Sequence, residues 1–127
     1  MAHNPVGWFE IYVQDMARAR AFYEKVLQHK LEHLPAPGSE APLEMWAFPM
    51  DMNGTGASGS LVKMDGVPSG GNSTLVYFSC EDCSVEAGRV VAAGGKLQQA
   101  KMAIGEYGFI ALAFDPDGNM FGLHSMQ

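Results

Sequence analysis

The chain has 127 residues, a formal net charge of −6 and 47% hydrophobic residues. This length suits one domain that buries a core of its own, and the composition is that of a globular protein rather than a disordered one. The acidic balance and the scattered basic residues argue against a nucleic-acid surface, which needs clustered Lys and Arg. No apolar run approaches the ~20 residues that cross a bilayer, and the first residues lack the pattern of a signal peptide, so we expect a cytoplasmic protein without membrane or nucleic-acid partners.

The first half of the chain predicts a strand, a helix and three further strands. Residues 6–13 alternate in the manner of a half-buried strand. Asp15 is a good N-cap for the helix that follows, 16–27, in which apolar side chains recur on one face. The three further strands are predicted at 30–34, 43–50 and 60–65, with a Pro/Gly-rich loop at 35–42.

The second half repeats this order after a joint at 66–72. A strand at 73–80 leads to Asp82, a second N-cap that stands 67 positions after Asp15. The helix that follows is predicted to extend through Val91 and to stop at Gly94 and Gly95, where the chain permits a left-handed backbone. Three more strands are predicted at 96–105, 106–114 and 119–126.

The repeated order predicts an α+β fold. A lone βαβββ unit has one helix for four strands and leaves sheet edges open, so we expect two modules in tandem that form a curved sheet around a cleft. Module one covers about 5–66 and module two about 73–125, within a single domain at 1–127. Phe9, Ile11 and Val13 are needed under the helix. The predicted cleft-facing residues are therefore Trp8, Glu10 and Tyr12 and, by the repeat, Leu75, Tyr77 and Ser79.

Four features together resemble the vicinal oxygen chelate superfamily, which is glyoxalase-, bleomycin-resistance- and dioxygenase-like. They are the paired βαβββ units, "FYEKVL" in the first helix, "AAGG" after the second, and "DPDGNMFGL" near the end. The resemblance covers essentially the whole chain and is strongest to the short, single-domain, glyoxalase-related proteins. It implies a small-molecule ligand and a homodimer. In metal-dependent members it also implies a divalent ion held by His or Glu at four strand positions and acting as a Lewis acid.

Those four positions carry no metal ligand in this sequence. By the resemblance they fall on Trp8, Leu75, Gly122 and one residue around 57–62, whose register the sequence leaves open. Between Asp51 and Asp65 there is no His, Asp, Glu or Cys. We therefore expect no metal at the usual site and no other cofactor. The alternative is a divalent metal at a non-standard site built from Glu10, Glu44 and His124, since three such ligands leave an open position for chemistry.

The predicted ligand-binding residues are mostly aromatic. Trp8, Tyr12 and Tyr77 share the cleft-facing parity, which favours a pocket for a flat or apolar compound. Trp46 is a further candidate, although the sequence does not show which face of its strand it occupies. The alternative for all four is ordinary packing or a dimer interface.

Two polar residues are candidates for chemistry. Glu10 would be a carboxylate in a largely apolar cleft, where it could act as an acid or a base; alternatively it lies at the mouth, solvated or paired with a cation. His124 stands two residues after Gly122 on the same face. It could contact a ligand or a metal, or be a surface residue near the end of the chain.

The two cysteines, Cys80 and Cys83, form a C-x-x-C pair. Such a pair suggests a redox site or half of a zinc site. A zinc site normally has four ligands and no second pair exists, so the alternative is that both cysteines are core residues in a reducing compartment.

The sequence is compatible with three functions. The first is a metal-free module that binds a small aromatic or hydrophobic molecule, to which the acidic balance adds a preference for cations. The second is an enzyme of the lyase, isomerase or dioxygenase class, with Glu10 as base or with the displaced metal. The third is a structural domain whose former cleft is filled by Trp8, Tyr12 and Tyr77.

Overall fold

A computed structural model describes residues 4–35, 43–71 and 73–127. Residues 36–42 of the predicted loop and Asn72 of the predicted joint lie outside the described residues. The elements follow the predicted order, with a short 3₁₀ helix added. They are β1 (Val6–Tyr12), α1 (Met16–Leu27), β2 (Glu32–Leu34), β3 (Leu43–Ala47), β4 (Ser58–Met64), β5 (Thr74–Ser79), α2 (Cys83–Ala87), β6 (Lys96–Ala103), the 3₁₀ helix (Gly105–Tyr107), β7 (Phe109–Phe114) and β8 (Met120–Ser125).

The eight strands and two α-helices within the described residues confirm the α+β class and the doubled βαβββ order. The chain divides into two compact units, which we call the N-unit (Phe9–Thr74) and the C-unit (the residues up to Trp8 together with Leu75–Gln127). The start of β1 therefore belongs to the C-unit. One cause is a backbone hydrogen bond of 2.8 Å from Ser79 N to the Pro5 carbonyl. This division into two units does not test the prediction of a single domain at 1–127, which stays a prediction.

The N-unit is a four-stranded sheet, in the order β2-β3-β4-β1, covered by α1. Asp15 caps α1 as predicted, since its Oδ1 accepts from Arg18 N at 3.1 Å. Leu61 on β4 is fully buried in a core with Met16 and Leu31. The half-buried apolar residues that pack on this core include Ile11 and Val13, so the α1 side of β1 is the predicted one.

Strands β1 and β4 lie side by side and run in the same direction. Gly59 lies against Phe9, because a Cβ built on Gly59 would overlap the Phe9 ring. Further along both strands, Val13 N donates to the Val62 carbonyl at 2.8 Å. These two contacts fix the register, which places Glu10 beside Ser60 and Ile11 beside Leu61.

The C-unit repeats this arrangement with the order β5-β8-β7-β6. Strands β5 and β8 are parallel, and Tyr77 is paired with Gly122. The core under α2 contains Cys83, Ala87, Ala111 and Leu123. Asp82 caps α2 as predicted, through a 3.0 Å hydrogen bond from Ser84 N.

Two predicted boundaries in the C-unit are wrong. Helix α2 ends at Ala87 and residues 88–94 form turns, because Gly88 is a poor helix former and Val91 is 69% exposed, with no core to join. Strand β7 begins only at Phe109, after the 3₁₀ helix and a positive φ at Gly108.

In the described ranges, no helix combines the length and apolar character of a membrane span; the longest, α1, has 12 residues.

The two cysteines do not form a disulfide. Cys83 is fully buried in the α2 core, whereas Cys80 is half-buried beside it. Burial and the neighbouring negative charge of Glu86 raise the pKa of the Cys80 thiol to about 11. The thiolate is the reactive form of cysteine and the form that binds metals. The burial of Cys83 and the raised pKa of Cys80 therefore favour a structural role in the core over a redox or zinc site.

We predict that Cys80 reacts slowly with iodoacetamide at pH 8, and that its alkylation rate rises only as the pH approaches about 11. Mass spectrometry of the native protein after timed alkylation measures this rate. Glu86→Gln removes the nearby charge and should raise the rate at pH 8. A half-maximal rate near the ordinary cysteine pKa of about 8.5 in the unsubstituted protein would contradict this assignment.

A second prediction concerns the cap of α2 and its pH dependence. Hydrogen bonds from Lys101 Nζ (2.9 Å) and from Ser84 lower the pKa of Asp82 to about 2. A folded-state pKa below the unfolded value of about 3.9 stabilises the fold above pH 4, and this stabilisation is lost as the pH falls toward 2. Urea unfolding of wild type and Asp82→Asn should therefore show a stability difference that is constant above about pH 5 and shrinks between pH 4 and 2.

Lys101→Met is the matched control for this cap. It removes the first partner of Asp82 and leaves the bond from Ser84, so its pH-dependent loss of stability should be smaller than in wild type and should be complete at a higher pH. An Asp82→Asn difference that stays the same from pH 7 to pH 2 would show that Asp82 is not perturbed.

Candidate functional site

The most distinctive polar contact in the N-unit joins two residues of β1. Glu10 is only 8% exposed, and its Oε1 accepts a hydrogen bond of 2.7 Å from the Tyr12 hydroxyl. Since residues two apart on a strand share a face, both side chains project away from α1, as predicted. A carboxylate is rarely this well buried unless it has partners or a function.

Ser60 on β4 lies beside Glu10 on the same face. It is fully buried, and within the described part of the chain its Oγ has no hydrogen-bond partner. Its apolar neighbours on this face are Val62 and, on β3, Met45, which is paired with Val62. We call these five residues the β1/β4 face: Glu10, Tyr12, Met45, Ser60 and Val62.

Ser60 also answers the register question that the sequence left open. Glu10 and Ser60 are paired in the N-unit as Tyr77 and Gly122 are paired in the C-unit. Ser60 is therefore the counterpart of Gly122, the fourth position at which the resemblance implies a metal ligand. A sequence signal for this match exists, since Leu61 and Met64 recur as Leu123 and Met126 at an offset of 62.

Trp46 lies on the α1 side of the N-unit. It is paired with Leu61 on β4 and packs on the α1 core. The Arg20 guanidinium lies 3.4 Å from the Trp46 ring centroid, and the indole Nε1 donates to Glu44 at 2.9 Å. Its ring is thus engaged in a cation–π contact on the face opposite Glu10 and Tyr12, and we leave it out of the proposed site.

The other predicted residues belong to the C-unit. Trp8 is half-buried at the start of β1, and Tyr77 is only 7% exposed. The Nε2 atom of His124 lies 2.6 Å from the Tyr107 carbonyl. Because a carbonyl only accepts, this nitrogen carries the proton and is committed to the backbone. Tyr107 was not singled out from the sequence, since no local pattern relates the 3₁₀ helix to β8.

The residues at the family's metal positions do not fit a divalent ion. Trp8 and Leu75 have no donor atom for a metal, and Ser60 offers only a neutral hydroxyl. A side chain at Gly122 would have to begin inside the Tyr77 ring, since a Cβ built there overlaps its Cδ1 and Cε1 atoms. Divalent ions in such sites are held by carboxylate, imidazole or thiolate groups.

The alternative metal set is not brought together either. Glu44 lies on the α1 side with Trp46, whereas Glu10 lies on the β1/β4 face, so the two carboxylates are on opposite faces of the same sheet. Across the described ranges, no group of three or more His, Cys, Asp or Glu side chains is placed to hold an ion.

Comparisons with known proteins address the fold. Methylmalonyl-CoA epimerase from Streptomyces coelicolor has a TM-score of 0.72 at 12% identity, covering 98% of both chains. The epimerase from Mycobacterium tuberculosis has a TM-score of 0.69 at 14% identity, covering 97% of this chain and 88% of that one. A hypothetical protein from Bacillus halodurans has a TM-score of 0.68 at 12% identity, with 96% and 94% covered. No curated protein matches the sequence.

Identities this low show a shared fold and carry no activity to this chain. The family comparison goes further, because residues 6–123 match the model of the Glyoxalase/Bleomycin resistance protein/Dioxygenase superfamily. This match spans nearly the whole chain and agrees with the doubled βαβββ order. The chain belongs to the Glyoxalase/Bleomycin resistance protein/Dioxygenase superfamily.

Proposed function

We propose that this protein binds a small molecule without a metal ion, and that Glu10 and Tyr12 hold the ligand's polar group. The observation that carries this proposal is the buried Glu10 carboxylate with the Tyr12 hydroxyl 2.7 Å away. A strand that served only the core would favour an apolar side chain at position 10, since burying a carboxylate opposes folding. Retaining it there suggests a role in recognition.

The chemistry of the β1/β4 face points to a class of ligand. A carboxylate accepts hydrogen bonds, so a partner for Glu10 should donate them. Met45 and Val62 are buried apolar neighbours of Glu10 on the same face, and methionine adapts to ligands of different shapes. A small aromatic or aliphatic compound that carries an amine meets both requirements.

The net charge supports a cationic ligand over an anionic one. The chain carries 14 acidic and 8 basic residues, and a protein of this sign attracts cations and repels phosphates. A methylmalonyl-CoA epimerase of the same fold has been solved with methylmalonyl-CoA. We do not extend that ligand to this chain, because coenzyme A carries several phosphate groups.

We predict that aromatic amines stabilise the wild-type protein, and that Glu10→Gln removes this preference. The experiment records thermal unfolding of the full chain against three matched panels: aromatic amines, the same ring systems without a charge, and the corresponding carboxylates. A ligand at 100 times its Kd stabilises the folded state by about 2.7 kcal/mol. At that excess the amines should raise the Tm by several degrees, whereas the carboxylates should not.

Glu32→Gln is the matched control, since it makes the same chemical change at an exposed carboxylate on β2. It should respond to the panels as wild type does. Equal responses of wild type and Glu10→Gln to the amines would contradict the assignment of Glu10. No response to any panel would favour a structural domain whose inner face is filled.

A second candidate function is a metal-free lyase or isomerase. It is favoured by the same Glu10–Tyr12 contact, because a carboxylate and a phenol at hydrogen-bond distance can pass a proton. Once a ligand is found, Glu10→Gln distinguishes the two functions. Lost affinity indicates a binding role, whereas retained affinity with lost turnover indicates a catalytic one.

Two further expectations belong to this proposal. Pairing of two copies of the chain, implied by the family, is tested by the molecular mass in solution. The cytoplasmic setting, inferred from the sequence, is tested by fractionation of the source cells.

A further inference from the structure

The space in which a side chain at position 122 would lie is filled by the Tyr77 ring. It is paired with Tyr77 across β5 and β8, and a Cβ at this position would overlap the Tyr77 ring. Its φ is not positive, so the backbone conformation does not require glycine. Glycine is therefore required at this position because it leaves space for the Tyr77 ring, and not because of its backbone conformation.

The ring cannot easily give way to a side chain at 122. Tyr77 is 7% exposed and Leu75, on the same face of β5, is 5% exposed. Moving the ring outward would expose a large apolar surface to water. Leaving it in place would force any larger residue at 122 into overlap, and an overpacked core is destabilised.

We infer that the stacking of Tyr77 on Gly122 is a steric lock that excludes a metal-binding side chain from position 122. Position 122 is where the family resemblance implies the last ligand, and the ring occupies the space that a ligand side chain there would need. A single substitution at position 122 would therefore not place a metal ligand there. This inference concerns the family's metal site and does not depend on the proposed amine ligand.

The two modules differ in the side chains at this pair of positions. In the N-unit the corresponding pair is Glu10 and Ser60, and both positions keep a polar side chain. In the C-unit the pair is an aromatic ring on a bare backbone. The N-unit thus carries a carboxylate and a hydroxyl at these two positions, whereas the C-unit carries a phenol and no second side chain.

A double-mutant cycle in the full chain tests the lock. Gly122→Ala should lower the Tm by roughly 5 °C or more in wild type. The same change should lower it much less in a Tyr77→Ala background, where the ring is gone. Tyr77→Phe is the matched control, since it keeps the ring and removes only the hydroxyl; in that background Gly122→Ala should be as harmful as in wild type.

Metal binding provides the second measurement. Equilibrium dialysis against Zn²⁺, Co²⁺, Ni²⁺ and Mn²⁺, with the bound metal counted by mass spectrometry, should show no stoichiometric ion in wild type or in Gly122→Glu. A bound ion in Gly122→Glu would overturn the lock, and so would a Gly122→Ala variant as stable as wild type. If Gly122→Glu fails to fold, the alanine cycle still decides the question.

Discussion

The register between the first and last strand of each βαβββ module decides which side chains share a face. In the N-unit, Phe9 packs on Gly59 and Val13 bonds to the Val62 carbonyl. In the C-unit, Tyr77 lies on Gly122. A slip of one residue would turn every side chain to the opposite face. The glycines keep the register because each accepts a ring where a Cβ would collide.

This register explains why the two halves of a repeated sequence are not chemically equivalent. Corresponding positions carry Glu10 with Ser60 in one unit and Tyr77 with Gly122 in the other. The first pair keeps polar atoms on a buried face, where they oppose folding unless they are partnered. The second pair replaces them by a ring over a bare backbone. Corresponding strands of the same fold therefore present different side chains at these two pairs of positions.

The sequence was sufficient for the order of elements because local signals agreed with the tertiary arrangement. Alternation on β1 and the capping aspartates at 15 and 82 are short-range features, and each has its predicted role. The end of α2 was missed because the apolar residues after Gly88 suggested a longer helix than the core can cover. Helical periodicity alone does not show whether a face has anything to pack against.

The site was harder to predict because it depends on contacts between distant strands. Trp46 is engaged by Arg20 on the α1 side, and no local pattern assigns a short strand such as β3 to one face. Ser60 became a site residue only once the β1/β4 register was known. His124 was a reasonable metal candidate from its parity, yet its Nε2 bonds the Tyr107 carbonyl, a contact that depends on the path of the 3₁₀ helix.

The central claim is that this member of the superfamily keeps the fold without the family's metal. Anomalous diffraction from wild-type crystals grown with Co²⁺, from protein purified without chelator, tests it most directly. We expect no cobalt peak within bonding distance of Glu10, Tyr12 or Ser60, the polar residues of the β1/β4 face. A fully occupied cobalt ion coordinated by the Glu10 carboxylate would contradict the account.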